Sequence, residues 1–265
     1  MTSEEIERPV GNRGAAPLTL RNSEARWDEF APIAYWDLNY RHMRHDDRRI
    51  LHIIRDHFMA TADLRRFGLR RAAAVDVGTG SNLYPAFAMT PFADRIFLYD
   101  LSTANVGWLT KQRRQFDESW LPFWHELAAK GPYRRVRSPR REFARKVHIE
   151  RKNVFQLDEG GFDLGTMFFV AESLSTEEDE FVAAMHAFIG SLRPGAPFAT
   201  AHMENSSGYE VDGVWFPAYA VKAEQIRRTL GEVASDVYVE QIPYNVDGAL
   251  REGYDGMIVA TGRAR

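Results

Sequence analysis

Two short apolar runs, each carrying an acid, stand at the centre of the hydrophobic pattern. The first, Ala72-Ala73-Ala74-Val75-Asp76-Val77, breaks into Gly78-Thr79-Gly80-Ser81-Asn82-Leu83-Tyr84, and the second, Arg95-Ile96-Phe97-Leu98-Tyr99, stops on Asp100. Apolar runs of this length without alternation predict strands buried on both faces. Val147–Ile149, Phe162–Val170 and Pro197–His202 read as three more, with Val237–Ile242 and Gly256–Thr261 as a late pair. Between them the period changes to that of a helix. Asn22-Ser23-Glu24 offers an N-cap for a helix through Trp27, Phe30 and Ile33, and aromatics continue to Tyr40. Ile50, Leu51, Ile53, Ile54, Phe58 and Met59 form an apolar stripe opposite Arg48, Arg49, Arg55 and Asp56. Ser102 caps a helix through Trp108, Leu109 and Phe116, and Trp120 to Leu127 continues the pattern. Ser175-Thr176-Glu177-Glu178 opens a helix over Phe181–Leu192, stopped by Pro194-Gly195, and Gly231 closes one over Val221–Leu230. Strands alternating with helices predict an α/β fold: a seven-stranded, mostly parallel sheet with an antiparallel edge strand.

The 265 residues show no repeat or linker, so residues 22–265 are expected to form one domain behind a mobile leader, 1–21, that holds Pro9, Gly11, Gly14 and Pro17. Residues 22–66 are expected to supply a helical lid. The absence of cysteine removes disulfides, thiolate metal sites and cysteine nucleophiles. No metal site is expected. No apolar run is long enough to span a bilayer and the N-terminus lacks a signal core, which together predict a soluble, unprocessed, cytoplasmic chain, monomeric or homodimeric. The basic run Gly131–Lys152 carries Arg134, Arg135, Arg137, Arg140, Arg141 and Arg145, but Glu142 and Glu150 interrupt it and the chain's net charge is -3. It reads as a solvated helical face, with no nucleic-acid partner.

The chemistry concentrates at the strand ends. Gly78 and Gly80 let backbone approach a ligand, and Asp100 is placed to accept from a ribose diol. A dinucleotide fingerprint wants a third glycine, and a phosphate loop wants Gly-Lys-Ser/Thr; neither is present, which argues against NAD, FAD and ATP. The acid-x-Gly-x-Gly turn with an acid one strand later instead resembles motif I of S-adenosylmethionine (SAM) dependent methyltransferases of the Rossmann-like class.

From Phe30 onward the order of pieces resembles the nicotinamide, phenylethanolamine and thioether/indolethylamine N-methyltransferases. Phe30-Ala31-Pro32-Ile33-Ala34-Tyr35 through Tyr40 is similar to that family's Phe-x-Pro-x-x-Tyr-(x)4-Tyr signature. The resemblance implies SAM as cofactor, held by Tyr35, Tyr40, Asp76, Gly78, Gly80, Tyr84, Asp100, Asn105, Asn153, Val154 and Phe168. Asn153-Val154 stands where the family usually has Asp-Val. The strand-end Ala171-Glu172-Ser173 and the segment from His202 through Ser207 to Tyr209 fall on the family's substrate side, as does Tyr244. His202 occupies a place where nicotinamide-type members carry an aspartate. Glu172, His202, Ser207, Tyr209 and Tyr244 are accordingly expected at the acceptor, with His202, Glu172 and Tyr35 as catalytic candidates. Tyr35 and Tyr40 stand five positions apart, so on one regular helix they diverge and cannot stack. They are expected to flank the ligand from a bent segment that closes the site.

Transfer from a sulfonium needs an aligned nucleophile and exclusion of water, leaving proton management to side chains. The reaction expected is methyl transfer to a small nitrogenous aromatic molecule, an arylalkylamine or heteroaromatic nitrogen. Methylation of an indole-type carbon is the nearest alternative, and a non-catalytic SAM-binding regulatory protein the alternative of another class.

Overall fold

A computed structural model describes residues 19–62, 72–243 and 254–265. The sheet's strands are β1 (Ala73–Val77), β2 (Arg95–Asp100), β3 (Val147–Arg151), β4 (Leu164–Phe168) and β5 (Pro197–Glu204), followed after a separate hairpin, β6 (Tyr209–Val211) and β7 (Val214–Phe216), by β8 (Ala234–Pro243) and β9 (Gly256–Ala264). Their order is β3-β2-β1-β4-β5-β9-β8. The first five pair in parallel, with Ala73 opposite Arg95 and Val75 opposite Gly165. The expected seven-stranded, mostly parallel sheet is therefore present, but the antiparallel strand is β9, one place in from the edge, while edge strand β8 pairs antiparallel to β9. The chain winds outward from β1 to β3 and then crosses to β4 on the other side. That reversal opens a crevice at the strand ends between β1 and β4, where doubly wound sheets bind ligands.

Alternation along the strands loads both faces. Ala74, Ile96, Leu98, Ala199 and Val259 pack against α2 (His45–Thr61), α3 (Tyr84–Met89), α4 (Thr103–Arg114) and α5 (Leu121–Ala128). Val75, Val77, Met167, Phe198 and Ala260 face α7 (Glu178–Gly190) and α8 (Ala223–Val233). The stripe Ile50, Leu51, Ile54 and Phe58 on α2 is completely buried, so this part of the anticipated 22–66 lid belongs to the core layer.

Several boundaries moved for local reasons. Instead of one helix from Asn22, there are 3-10 turns at Asn22–Glu24 and Trp27–Glu29, then α1 (Pro32–Asn39). Pro32 occupies the first turn of α1 and keeps Ala31 out of the helical region, at φ -96° and ψ 88°. Helix α7 starts at Glu178, because Ser175 accepts from Glu177 N in a preceding turn and does not cap the helix. Helix α8 runs through Gly231 to Val233 and stops where Ala234 extends into β8. The hairpin β6–β7 was not anticipated. Its turn residues Asp212 and Gly213 both have positive φ, 50° and 79°, the conformation that a two-residue hairpin turn demands. The basic run folds as a 3-10 turn (Gly131–Arg135), α6 (Pro139–Lys146) and then β3, with Tyr133 and Phe143 buried and Arg145 paired to Glu142 at 2.6 Å. This is the solvated helical face that the interrupting acids implied.

Candidate functional site

At the crevice lies an open cavity. Its floor is the turn after β1. Gly78 has φ +64°, and a Cβ there would lie 2.5 Å from Val170 Cγ2, so only glycine fits. Gly80, at φ +54°, donates its N–H to Asp100 Oδ2 at 2.7 Å, while Asp100 Oδ1 accepts from Ser102 N at 2.9 Å and Asn105 Nδ2 at 3.1 Å. Burial pushes the Asp100 carboxyl above its ordinary range, and these three donors oppose that shift. The carboxylate is thus locked in orientation at the tip of β2. Its two oxygens still have accepting capacity beyond three bonds.

The wall carries unmatched polar atoms. Ser81 Oγ, Asn82 Nδ2, Asn105 Oδ1 and Ser173 Oγ are buried without a hydrogen-bond partner, and all four belong to residues lining the cavity. Buried polar groups are almost always paired, so such a cluster marks a place for a ligand rich in donors and acceptors. A nucleoside with an amino-acid tail meets that description. SAM fits: the Asp100–Asn105 side suits its ribose and base, and Gly78–Asn82 the zwitterionic end.

Over this floor the lining turns aromatic, with Trp27, Phe30, Tyr35, Tyr40, Phe168, Phe169 and Tyr209. Phe169 holds φ 60°, uncommon for a bulky side chain and a form of strain that collects at functional sites. Helix α1 ends at Asn39 and Tyr40 leaves helical geometry at φ -130° and ψ -3°, so the segment is broken as expected. The break has the opposite effect on the rings from the one anticipated. It swings Tyr40 back until its ring centroid is 6.0 Å from that of Tyr35, and Tyr35 in turn meets Tyr209 edge-on at 6.2 Å.

Of the residues singled out in the sequence, Tyr35, Tyr40, Gly78, Gly80, Asp100, Asn105, Phe168 and Tyr209 line the cavity. Others stand behind it. Asp76 is buried between β1 and β4, its Oδ1 accepting from Thr166 Oγ1 at 2.6 Å and its Oδ2 unpartnered; burial pushes its pKa up to about 7. Tyr84 is buried against Phe123, stacked at 5.6 Å with nearly parallel rings, and supports Phe168 and Tyr40 from behind. Asn153 caps the turn after β3 by accepting from Phe155 N, and Val154 packs in the apolar layer with Tyr99. Ser207 is exposed and away from the lining, and Tyr244 lies outside the described residues.

Glu172 and His202 come together, but not at the cavity. Both are completely buried. Glu172 Oε2 meets His202 Nδ1 at 2.9 Å, Glu172 Oε1 accepts from Met203 N at 3.1 Å, and His202 Nε2 meets Thr200 Oγ1 at 3.0 Å. Every polar atom of the pair is engaged, so the pair ties the turn after β4 to β5, and neither residue lines the cavity. The neighbouring Ser173 reaches the cavity instead, because the 3-10 turn Ala171–Ser173 directs Glu172 inward. Asn22, Ser81, Asn82, Ser102, Phe169, Val170 and Leu174 are further lining residues not anticipated as ligands. Ser81 and Asn82 sit inside the glycine turn, where proximity was a usable signal; Phe169 had none.

Residues 19–264 match the family model described as the NNMT/PNMT/TEMT family. No curated protein sequence matches the chain. Among solved structures it is similar to the N-methyltransferase NodS from Bradyrhizobium japonicum WM9 in complex with S-adenosyl-L-homocysteine, with a TM-score of 0.54 at 12% identity over 87% of this chain and 92% of that one. It is also similar to the 4+2 cyclase SpnF, with a TM-score of 0.51 at 12% identity over 82% and 80% of the two chains. At such identity both likenesses show the fold alone, and a cyclase on the same frame illustrates that a fold does not fix a reaction.

Proposed function

We propose a reaction for this chain starting from what it is: it belongs to the NNMT/PNMT/TEMT family and is a SAM-dependent methyltransferase. The acceptor we assign is a small nitrogenous aromatic molecule, methylated at nitrogen. The observation that carries this reading is the aromatic wall of Trp27, Phe30, Tyr35, Tyr40, Phe168, Phe169 and Tyr209 facing the Gly78–Gly80 floor. Such a wall shelters a flat, apolar acceptor, and ring faces stabilise positive charge of the kind that a sulfonium or a methylated ammonium carries.

SAM supplies the electrophilic methyl group. The protein's part is to hold and to exclude. Asp100 and Asn105 would hold the ribose, and Ser81, Asn82 and the Gly80 turn the amino-acid end. Asp100 is the one carboxylate among the described lining residues, beside the phenols of Tyr35, Tyr40 and Tyr209, and it is committed to Gly80, Ser102 and Asn105. The rate then rests on alignment and on displacement of water by the aromatic roof, with the amine reacting as its neutral form. Glu172 and His202 keep a positioning role, fixing the strand end beside the cavity.

Incubating the full chain with methyl-labelled SAM and a panel of arylalkylamines and N-heteroaromatics tests this. A labelled N-methyl product is expected. A methyl group on an indole carbon would replace nitrogen by carbon as the acceptor, and tight S-adenosylhomocysteine binding with no turnover across the panel would point to a binding protein.

A further inference from the structure

The roof over the cavity has a small core of its own. Phe30, Val211 and Phe216, joined by Trp27, Tyr35 and Tyr209, form an apolar cluster separate from the two that flank the sheet. Its members come from a strap, residues 20–35, and from the hairpin β6–β7. Trp27 stacks on Phe216 at 5.4 Å, and Phe30 lies 5.2 Å from the same ring.

Polar contacts fix the strap to the body at two places. On the α7 side, Leu20 N donates to Thr176 Oγ1 at 2.9 Å, Thr176 N donates to Leu20 O at 3.0 Å, Asn22 N donates to Glu180 Oε2 at 2.9 Å, and Arg21 pairs with Asp179 at 3.1 Å. On the other side Asp28 Oδ1 accepts from both the N–H and the hydroxyl of Thr103, each at 2.9 Å, and Asp28 Oδ2 faces Arg151 Nη2 at 3.4 Å. Trp27 between these anchors, Asn22 in the first of them and Phe30 just past the second line the cavity.

The Asp28 anchor is in a position to matter for a ligand. Thr103 is the first residue of α4, where the helix N-terminus favours a negative charge, and it stands between Ser102 and Asn105, which flank the cavity with Asp100. The Thr103 donors hold the Asp28 carboxyl below its ordinary range. This anchor is also the slighter of the two, with the Asp28 side chain 56% exposed and fewer contacts than the α7 side makes.

We propose that Asp28 is a positioning residue that latches the strap to the start of α4 and so sets how long the cofactor and its demethylated product stay bound. The inference rests on the reading that SAM occupies this cavity. With the latch closed, Trp27 and Phe30 are held over the ligand; with it open, the strap and hairpin separate from α4 as a unit, keeping their own apolar cluster.

Release of S-adenosylhomocysteine from the full chain, chased with excess SAM and followed by tryptophan fluorescence, reads the latch directly. Asp28→Ala and Thr103→Val are expected to speed release, Asp28→Ala by about threefold to tenfold for the loss of its hydrogen bonds. The double variant is expected to release no faster than Asp28→Ala, with thermal midpoints without ligand close to wild type. Arg26→Ala removes only the exposed pair with Glu29 on the same strap and is expected to release at the wild-type rate. Equal release from wild type and Asp28→Ala would overturn the latch. So would faster release that tracks an equal fall in stability without ligand, since Asp28 would then be only a structural tether. A wild-type chain that binds no S-adenosylhomocysteine would instead contradict the assignment of the cavity.

Discussion

Asp47 and Asp76 are buried carboxyls that hold their protons at unusually high pH. Burial, reinforced by neighbouring Asp46, raises Asp47 to about 8, and burial raises Asp76 to about 7. In the unfolded chain both titrate near an ordinary aspartate value of about 4. Between those limits the native state binds protons that the unfolded state has released, so stability falls as pH rises from about 4 toward about 8 and levels off above. Thermal midpoints are expected to drop between pH 6 and pH 8, and Asp47→Asn to flatten that slope; an unchanged slope would show that Asp47 is ionised in the native state. His202→Ala leaves Glu172 buried without its partner, and stability is expected to fall by roughly 1–3 kcal/mol. The turnover of the surviving folded fraction is expected to stay near wild type. A large loss of turnover at full stability would restore His202 to the chemistry. The sequence placed Glu172 after the fourth strand and His202 on the fifth, and the structure joins them. The sequence did not reveal which way a residue in a one-turn 3-10 segment points, and there the cavity took Ser173.

Among the elements, the glycine turn was the most legible, because two glycines between acids leave few conformations to choose from. Gly78→Ala forces a Cβ into Val170 at 2.5 Å on a backbone at φ +64°, and S-adenosylhomocysteine affinity is expected to fall at least tenfold while the sheet still folds. Calorimetry on that variant checks it, and wild-type affinity would mean that the turn shifts freely. Pro32 explains the misread N-terminal helix: the aromatic spacing looked helical, but a proline at the first helical turn marks a start, so Trp27 and Phe30 were left to a strap. The hairpin β6–β7 was readable from Asp212-Gly213 between apolar pairs, yet the segment passed for a loop because its strands are only three residues long. That hairpin turns out to be half of the roof. Tyr209 reaches the cavity lining from its first strand.

The whole molecule followed the hydrophobic pattern closely, since buried parallel strands have to be apolar throughout. The crossover from β3 to β4 was not readable from composition, and it is this reversal that places the Gly78 turn, Asp100 and Phe168 around one crevice. Among the described residues, no helix is long and apolar enough to cross a membrane and no acid–histidine cluster can hold a metal ion. The basic stretch runs through the turn before α6, α6 itself and β3, apart from the cavity lining, with Arg134 bonding Ala129 O and Arg145 pairing with Glu142. Replacing Arg134, Arg135 and Arg137 together by glutamine is expected to leave methyl transfer near the wild-type rate; tight RNA binding that weakens steeply with salt would give the stretch a different purpose.

Titration calorimetry with S-adenosylhomocysteine, on the wild-type chain and on Asp100→Ala, tests the site most directly. One ligand per chain is expected, and the variant is expected to lose roughly 1.5–3 kcal/mol of binding free energy, because the charged acceptor and the order it imposes on Gly80 and Asn105 go together. Binding as tight in Asp100→Ala as in wild type would contradict the assignment of the cofactor to this cavity.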